Sequence, residues 1–152
     1  MDQSFFSGLV PKVPNTLTAL SNKNMGRLTI ISEIGFPHAA CLFEYEGVKI
    51  WCGFKPKFPK FPVFWGYVDH SNRAVYIKKS ICFEMPDHIL QQAIILLEEK
   101  YTNQWFSIIG GINCIDFAIE AAQLCELQVP VKKKLLPCDL IQDLQELNSL
   151  IR

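Results

Sequence analysis

The sequence has no excess of charge and no long hydrophobic run, and these absences narrow the class of protein. Fifteen basic and fifteen acidic residues give a formal net charge of zero, whereas a nucleic-acid binder normally carries a basic surface. No segment approaches the ~20 apolar residues that span a bilayer. The start lacks a basic region followed by an apolar stretch, so no cleaved signal peptide is expected. We therefore expect neither a nucleic-acid partner nor a membrane span.

The six cysteines lack the spacing of metal-binding or redox pairs. They stand at positions 41, 52, 82, 114, 125 and 138 without a CxxC pair, which favours free thiols in a reducing environment. His38 and Cys41, with Cys52 or His70, offer zinc-type ligands. However, residues 38 and 41 point to opposite faces of a regular strand. We therefore expect no metal and no other cofactor.

The order of hydrophobic patterns predicts an α+β fold. A chain of 152 residues suits a single core, which we expect over residues 27–152, preceded by an arm at residues 1–26 that packs on the domain. Strands are predicted at residues 27–34, 38–44, 48–54, 64–68 and 74–77, with Glu46-Gly47 turning a hairpin. Residues 55–62 contain three prolines and predict a loop.

The pattern then changes to a helical period. Helices are predicted from Pro86-Asp87 to about Lys100, from Cys114 onward, and from Asp139 onward. Strands followed by helices favour an antiparallel sheet that is covered by helices.

Two residues stand where a thiol hydrolase needs them. Cys114 follows Gly110-Gly111 at the start of a helix, where unpaired N–H groups and the helix dipole stabilise a thiolate. His38 stands at the first position of a predicted strand, which holds the imidazole but leaves it open to a cleft. A thiol and a base in these places form the minimum machinery of a cysteine hydrolase.

Three segments around these residues carry a family resemblance. They are Pro37-His38-Ala39, Gly53-Phe54-Lys55-Pro56 and Asn113-Cys114-Ile115-Asp116-Phe117-Ala118. In this order they resemble the circularly permuted NlpC-type branch of papain-like cysteine hydrolases, over about residues 27–145. The resemblance implies a papain-like sheet packed against helices. It also implies a cysteine peptidase or amidase with Cys114 as nucleophile and His38 as base.

The resemblance further implies a setting and a substrate. Members with this pattern are often bacterial toxins or secreted effectors, including ones that cleave peptidoglycan and are delivered by specialised secretion systems. The resemblance therefore implies a protein that is made in the bacterial cytoplasm, exported to a target cell and active on peptidoglycan stem peptides. A peptide or peptidoglycan substrate is therefore expected, with a cognate immunity protein as a further candidate partner. Three alternatives stay open: action on a protein or lipid of the target cell, deamidation or acyl transfer, and a catalytically inactive binding module.

The remaining site residues are less distinct in the sequence. Asn113 is a candidate for oxyanion support and equally for a helix cap. The family often has glycine where this chain has Pro37, and no polar partner of the imidazole is evident opposite His38, near residues 51–53. A backbone carbonyl or Asp69 is the candidate for that role. The aromatic and proline-rich residues 54–65 fit either the border of a substrate cleft or a structural cover over the sheet.

Overall fold

Antiparallel pairing of six strands forms the framework of the protein. A computed structural model describes residues 24–58 and 61–149. Its strands are β1 (Met25–Glu33), β2 (Ala39–Tyr45), β3 (Val48–Pro56), β4 (Val63–Asp69), β5 (Ile77–Pro86) and β6 (Trp105–Ser107). They form one sheet in the order β5-β1-β2-β3-β4-β6, with every neighbouring pair antiparallel.

Three helices contribute to the core that forms against this sheet. They are α1 (Asp87–Tyr101), α2 (Cys114–Leu124) and α3 (Pro137–Ser149). Each buries one apolar stripe, for example Leu90, Ala93 and Leu97 of α1 at helical spacing. Edge-to-face contacts of Tyr101 with Phe54 and with Phe117, both at 4.9 Å between ring centroids, join α1, β3 and α2. The predicted α+β class with an antiparallel sheet is confirmed.

The predicted hairpin is present, and its turn explains the register of β2 and β3. Glu46 and Gly47 both have positive φ, as a two-residue turn between right-twisted strands requires. This turn pairs Tyr45 with Val48 and brings Cys41 opposite Cys52. The strands expected at residues 27–34 and 64–68 are present as β1 and β4. The first predicted helix also matches α1.

The strand predicted at residues 74–77 is wrong over most of its length. Residues 74–76 form a 3-10 turn, because the side-chain oxygen of Asn72 accepts from the N–H of Ala74 and Arg73 O accepts from the N–H of Tyr76. Ile77 instead begins β5, which is much longer than predicted.

Smaller differences concern element ends. β3 extends to Pro56, two residues into the expected loop, because a proline at the end of a strand gives up only one N–H. α3 begins at Pro137 rather than Asp139, since proline suits the first turn of a helix. Strand β6 was not predicted. Of the expected arm, Met25 and Gly26 belong to β1 and residues 1–23 lie outside the described residues.

The functional candidates meet at one end of the sheet, which we term the loop end. There β1 ends at Glu33, β2 begins at Ala39, β3 ends at Pro56 and α2 begins at Cys114. Within residues 24–58 and 61–149, no helix has both the length and the apolar character needed to cross a membrane.

Two adjacent leucines of α1 provide a matched test of this packing. Leu97 is 1% exposed and Leu96 is 38% exposed. We expect Leu97→Ala to lower the free energy of unfolding by about 2–5 kcal/mol, because it removes buried methyl groups and leaves a cavity. Leu96→Ala should cost less than about 1 kcal/mol. Urea unfolding measures both, and equal losses would contradict the orientation of α1.

Candidate active site

A complete capping box fixes the first turn of α2, where Cys114 is the first helical residue. The side-chain oxygen of Asn113 accepts from the N–H of Ile115 at 3.0 Å, and the N–H of Asn113 donates to Asp116 at 2.9 Å. The amide of Asn113 also donates to Ser107 O at 3.3 Å. Its side chain is therefore engaged as the helix cap, one of its two expected roles.

The segment before Cys114 is held by a lysine from the loop that follows α2. Lys133 Nζ donates to Gly111 O at 3.0 Å and to the carboxylate of Asp116 at 2.8 Å. This one ammonium group therefore ties the double glycine to the capping box. The position of Cys114 is thus set by side chains on both sides of it.

The Cys114 thiol lies against the first residue of β2. The N–H of Ala39 donates to Sγ at 3.4 Å, and Cys114 is buried. Burial raises the pKa of this thiol to about 11, despite the opposing effect of the N–H groups of Ala39 and Cys114 itself. In this geometry the thiol is protonated at neutral pH.

His38 precedes Ala39, and its side chain is 13% exposed. Its carbonyl accepts from the N–H of Glu33 at 2.9 Å, which continues the β1–β2 pairing by one step. Nε2 is buried without a hydrogen-bond partner among the described residues. Burial lowers the pKa of His38 to about 4, so the imidazole is neutral at pH 7.

The Cys114 thiol and the His38 ring lie on opposite faces of the sheet. Cys52 and Phe54 belong to the core cluster that also contains Cys114. Gly53 lies between them, so a side chain there would point to the other face. A Cβ on Gly53 would come within 3.2 Å of His38 Nε2. The structure thus brings Cys114 to the backbone of His38, and no hydrogen bond joins the two side chains within the described residues.

Glu33 is the carboxylate nearest to the imidazole, and the sequence analysis did not identify it. Its Oε2 lies 3.9 Å from His38 Nε2. Glu33 is buried and binds the guanidinium of Arg73 through both oxygens, at 2.8 and 3.0 Å. In the sequence, Glu33 could be recognised only by its short separation from His38. That separation, with Gly35 between the two residues, suits a tight turn that would place them side by side.

Asp69 lies in the same polar region but is bound elsewhere. Its carboxylate contacts Lys55 Nζ at 2.8 Å and accepts from Ser71 Oγ at 2.7 Å. Burial would raise the pKa of Asp69, but the bonds from Lys55 and Ser71 outweigh it and lower that pKa. Among the charged groups that act on His38, Glu33 raises its pKa most and Asp69 least. The geometry therefore favours Glu33 over Asp69 as the partner of the imidazole.

The residues considered as zinc ligands are not gathered at one point. Cys41 and Cys52 are buried on the helix side of the sheet, opposite to the ring of His38. His70 is bonded to Trp51 O at 2.8 Å and to Glu98 at 2.6 Å. In residues 24–58 and 61–149 no group of three or more histidine, cysteine or carboxylate side chains is placed to hold a metal ion.

Two clefts formed by the described residues do not contain the candidate dyad. One of about 370 Å³ lies between β5 and α3, beside Phe83 and Gln145. Another of about 330 Å³ lies beside Gly26 and the Glu46-Gly47 turn, at the end of the sheet opposite to the loop end. Neither cleft is lined by Cys114 or His38.

Comparisons with known proteins identify no relative. A scan against family models and searches of curated proteins and of solved structures found no significant match.

The buried neutral imidazole makes stability depend on pH. The pKa of His38 is near 6.5 when unfolded and about 4 when folded, so the unfolded state binds the proton more tightly. The contribution of the neutral His38 to the free energy of unfolding is therefore fully present above about pH 6.5 and is lost as the pH falls towards about 4. Between about pH 7 and about pH 5 we expect this loss to be about 2 kcal/mol.

The variant His38→Gln should remove the part of the pH-dependent loss of stability that comes from His38, because glutamine does not titrate. Urea unfolding at both pH values measures it, with His88→Gln on the exposed side of α1 as the matched control. An equal pH dependence in the parent chain and in His38→Gln would contradict the buried, neutral state of His38.

Proposed function

We propose that the chain is a cysteine hydrolase of the permuted papain-like class that cleaves an amide bond through Cys114 and His38. The observation that supports it most directly is the contact between Ala39 N and Cys114 Sγ. It places the thiol of a helix N-terminal cysteine against the peptide group of the histidine that the resemblance assigns as base. Two residues 76 positions apart in the sequence therefore meet at the loop end.

Catalysis requires the imidazole to turn towards the thiol. Because the Cβ of His38 points to the face opposite to Cys114, this movement must change the backbone of His38 as well as its side-chain torsions. The position of His38 just before β2, at the end of the sheet, is where the backbone has room for such a change. This movement takes Nε2 away from Gly53 and into a position where it accepts a proton. Hydrogen bonds in catalytic sites often tighten only when substrate is bound. The resting arrangement is therefore the unactivated state in this proposal.

The reaction then follows from the groups at the loop end. His38 takes the proton of Cys114, and the thiolate attacks the amide carbonyl carbon. The N–H of Cys114, free of an intrahelical partner at the first helical position, donates to the oxyanion. The imidazolium protonates the leaving amine as the C–N bond breaks, and a thioester remains on Sγ. Water attacks the thioester with His38 as base, which releases the acid and restores the thiol.

Glu33 has a positioning role in this proposal. Its negative charge favours the imidazolium that forms during the reaction, since it is the charge that raises the pKa of His38 most. Arg73 holds the carboxylate in place through two hydrogen bonds.

The proposed substrate rests on the family resemblance alone, and peptidoglycan stem peptides are the first class of substrate to test. A role as an exported bacterial toxin is proposed on the same ground.

A second candidate function is a catalytically inactive papain-like binding module. It is favoured by the resting geometry, in which the thiol is protonated and the imidazole is neutral and on the other face. The two candidates differ in one respect, because only the hydrolase forms a thioester on Cys114.

The decisive variant for the hydrolase is Cys114→Ala. We expect the parent chain to release peptides from peptidoglycan sacculi or from a peptide library, and to form an acyl adduct on Cys114 that mass spectrometry detects. Cys114→Ala should reduce turnover at least about a thousandfold, because the residual effects of binding and the oxyanion donor do not replace the nucleophile.

Cys82→Ala is the matched control, because Cys82 is an exposed thiol of the edge strand β5 and lies opposite Thr29, in the middle of β1. It should keep full activity. Cleavage by purified Cys114→Ala at the parental rate would refute the proposal, whereas no turnover and no adduct in the parent chain would favour the binding module.

A further inference from the structure

Five aromatic side chains form a continuous cluster at the loop end. Phe58, Phe61 and Phe64 contact one another with ring centroids 4.7 to 5.7 Å apart. Phe64 continues to Trp105 at 6.3 Å, and Trp105 to Trp65 at 5.0 Å. All except Phe64 are exposed. Aromatic side chains normally bury most of their surface, so the exposed sides of this cluster require an explanation.

Exposed aliphatic side chains extend the aromatic cluster along two neighbouring loops. Ile108 and Ile109 belong to the loop before α2, and Ile109 is 71% exposed. The N–H of Ile108 donates to Pro62 O at 3.1 Å, which joins this loop to the aromatic cluster. Leu135, which is 87% exposed, lies two residues beyond Lys133, the residue that contacts Gly111.

The charges of these loops are all of one sign. Residues 54–68, 103–115 and 127–138 contain six of the fifteen basic residues and none of the fifteen acidic residues. The six are Lys55, Lys57, Lys60, Lys132, Lys133 and Lys134. Three of them are paired with carboxylates outside these ranges: Lys55 with Asp69, Lys133 with Asp116 and Lys134 with Asp143. Lys57 and Lys132 are exposed and form no ion pair within the described residues. Among the described residues, Lys57 and Lys132 are therefore the lysines of these loops that are free to meet an anionic partner.

We propose that the loop end docks on the surface of a phospholipid bilayer that carries anionic headgroups. Tryptophan and phenylalanine rings suit the boundary between headgroups and acyl chains, and lysines among them suit anionic lipids. The aliphatic residues decide against a single-stranded nucleic acid, which also binds basic aromatic surfaces by stacking. Isoleucine and leucine side chains do not stack on bases, whereas they gain from contact with acyl chains.

Docking here would bring the bilayer close to the first turn of α2. Ile109 stands five residues before Cys114, and the loop that carries it is held to the capping box by Lys133. The surface is a property of the loops and does not depend on hydrolysis. If the proposed enzyme activity is not found, the docking proposal still stands. If the protein does not bind membranes, the proposed enzyme activity still stands.

The test is flotation of the full chain with vesicles of phosphatidylcholine, with and without phosphatidylserine. We expect binding that requires phosphatidylserine and weakens as salt rises. Ile109→Glu should reduce binding at least about tenfold, because it places a carboxylate among the inserted side chains. Lys57→Gln and Lys132→Gln should each reduce it about fivefold.

Ile95→Glu is the matched control, because Ile95 is 56% exposed on α1 and outside the three loops. It should bind as the parent does. Absence of vesicle binding, or equal binding by Ile109→Glu, would overturn the proposal. Tight binding of a single-stranded oligonucleotide without vesicles would also overturn it, because the surface would then bind nucleic acid. A dimer in gel filtration that Ile109→Glu dissociates would overturn it too, because the surface would then bind a second copy of the chain.

Discussion

The docking of the α2 N-terminus on the start of β2 is the contact on which the candidate site depends. The N–H of Ala39 reaches Cys114 Sγ only because the capping box ends the preceding loop at Asn113 and Lys133 holds Gly111. Packing of Phe117 against Tyr101 fixes the same helix from within the core. The position of the thiol is therefore set by the fold as a whole rather than by a flexible loop.

Desolvation dominates the electrostatics of both candidate catalytic groups. It raises the pKa of the Cys114 thiol and lowers that of the His38 imidazole, so both groups are held in their neutral forms. An active thiolate–imidazolium pair has the opposite protonation at both atoms. The two charges stabilise one another only at short distance, so activation and the movement of His38 to the thiol are a single event in this account.

The sequence was sufficient for the parts of the fold that depend on local patterns. The hairpin at Glu46-Gly47 and the helix that begins at Cys114 follow from turn chemistry and apolar spacing. The 3-10 turn at residues 74–76 was missed because it depends on the Asn72 side chain, which competes locally with a strand. Strand β6 has three residues, too few to show a period.

The sequence nominates candidate residues for the site but does not predict their geometry. Cys114, His38 and Asn113 could be selected because each stands at the end of an element. The role of Glu33 depends on pairing with His38 across the hairpin and on Arg73, which lies forty residues away in sequence. The His38 ring lies so close to Gly53 that a Cβ there would come within 3.2 Å of Nε2. Long-range contacts of this kind leave no local pattern.

The most direct test of the central claim is the rate of alkylation of Cys114 as a function of pH, read by mass spectrometry in the parent chain and in His38→Ala. Substrate-like electrophiles should label the parent rapidly near neutral pH, and the rate should collapse without His38, because the histidine supplies the base once it turns to the thiol. Slow labelling that His38→Ala leaves unchanged would contradict the account and would identify Cys114 as an inert, buried thiol.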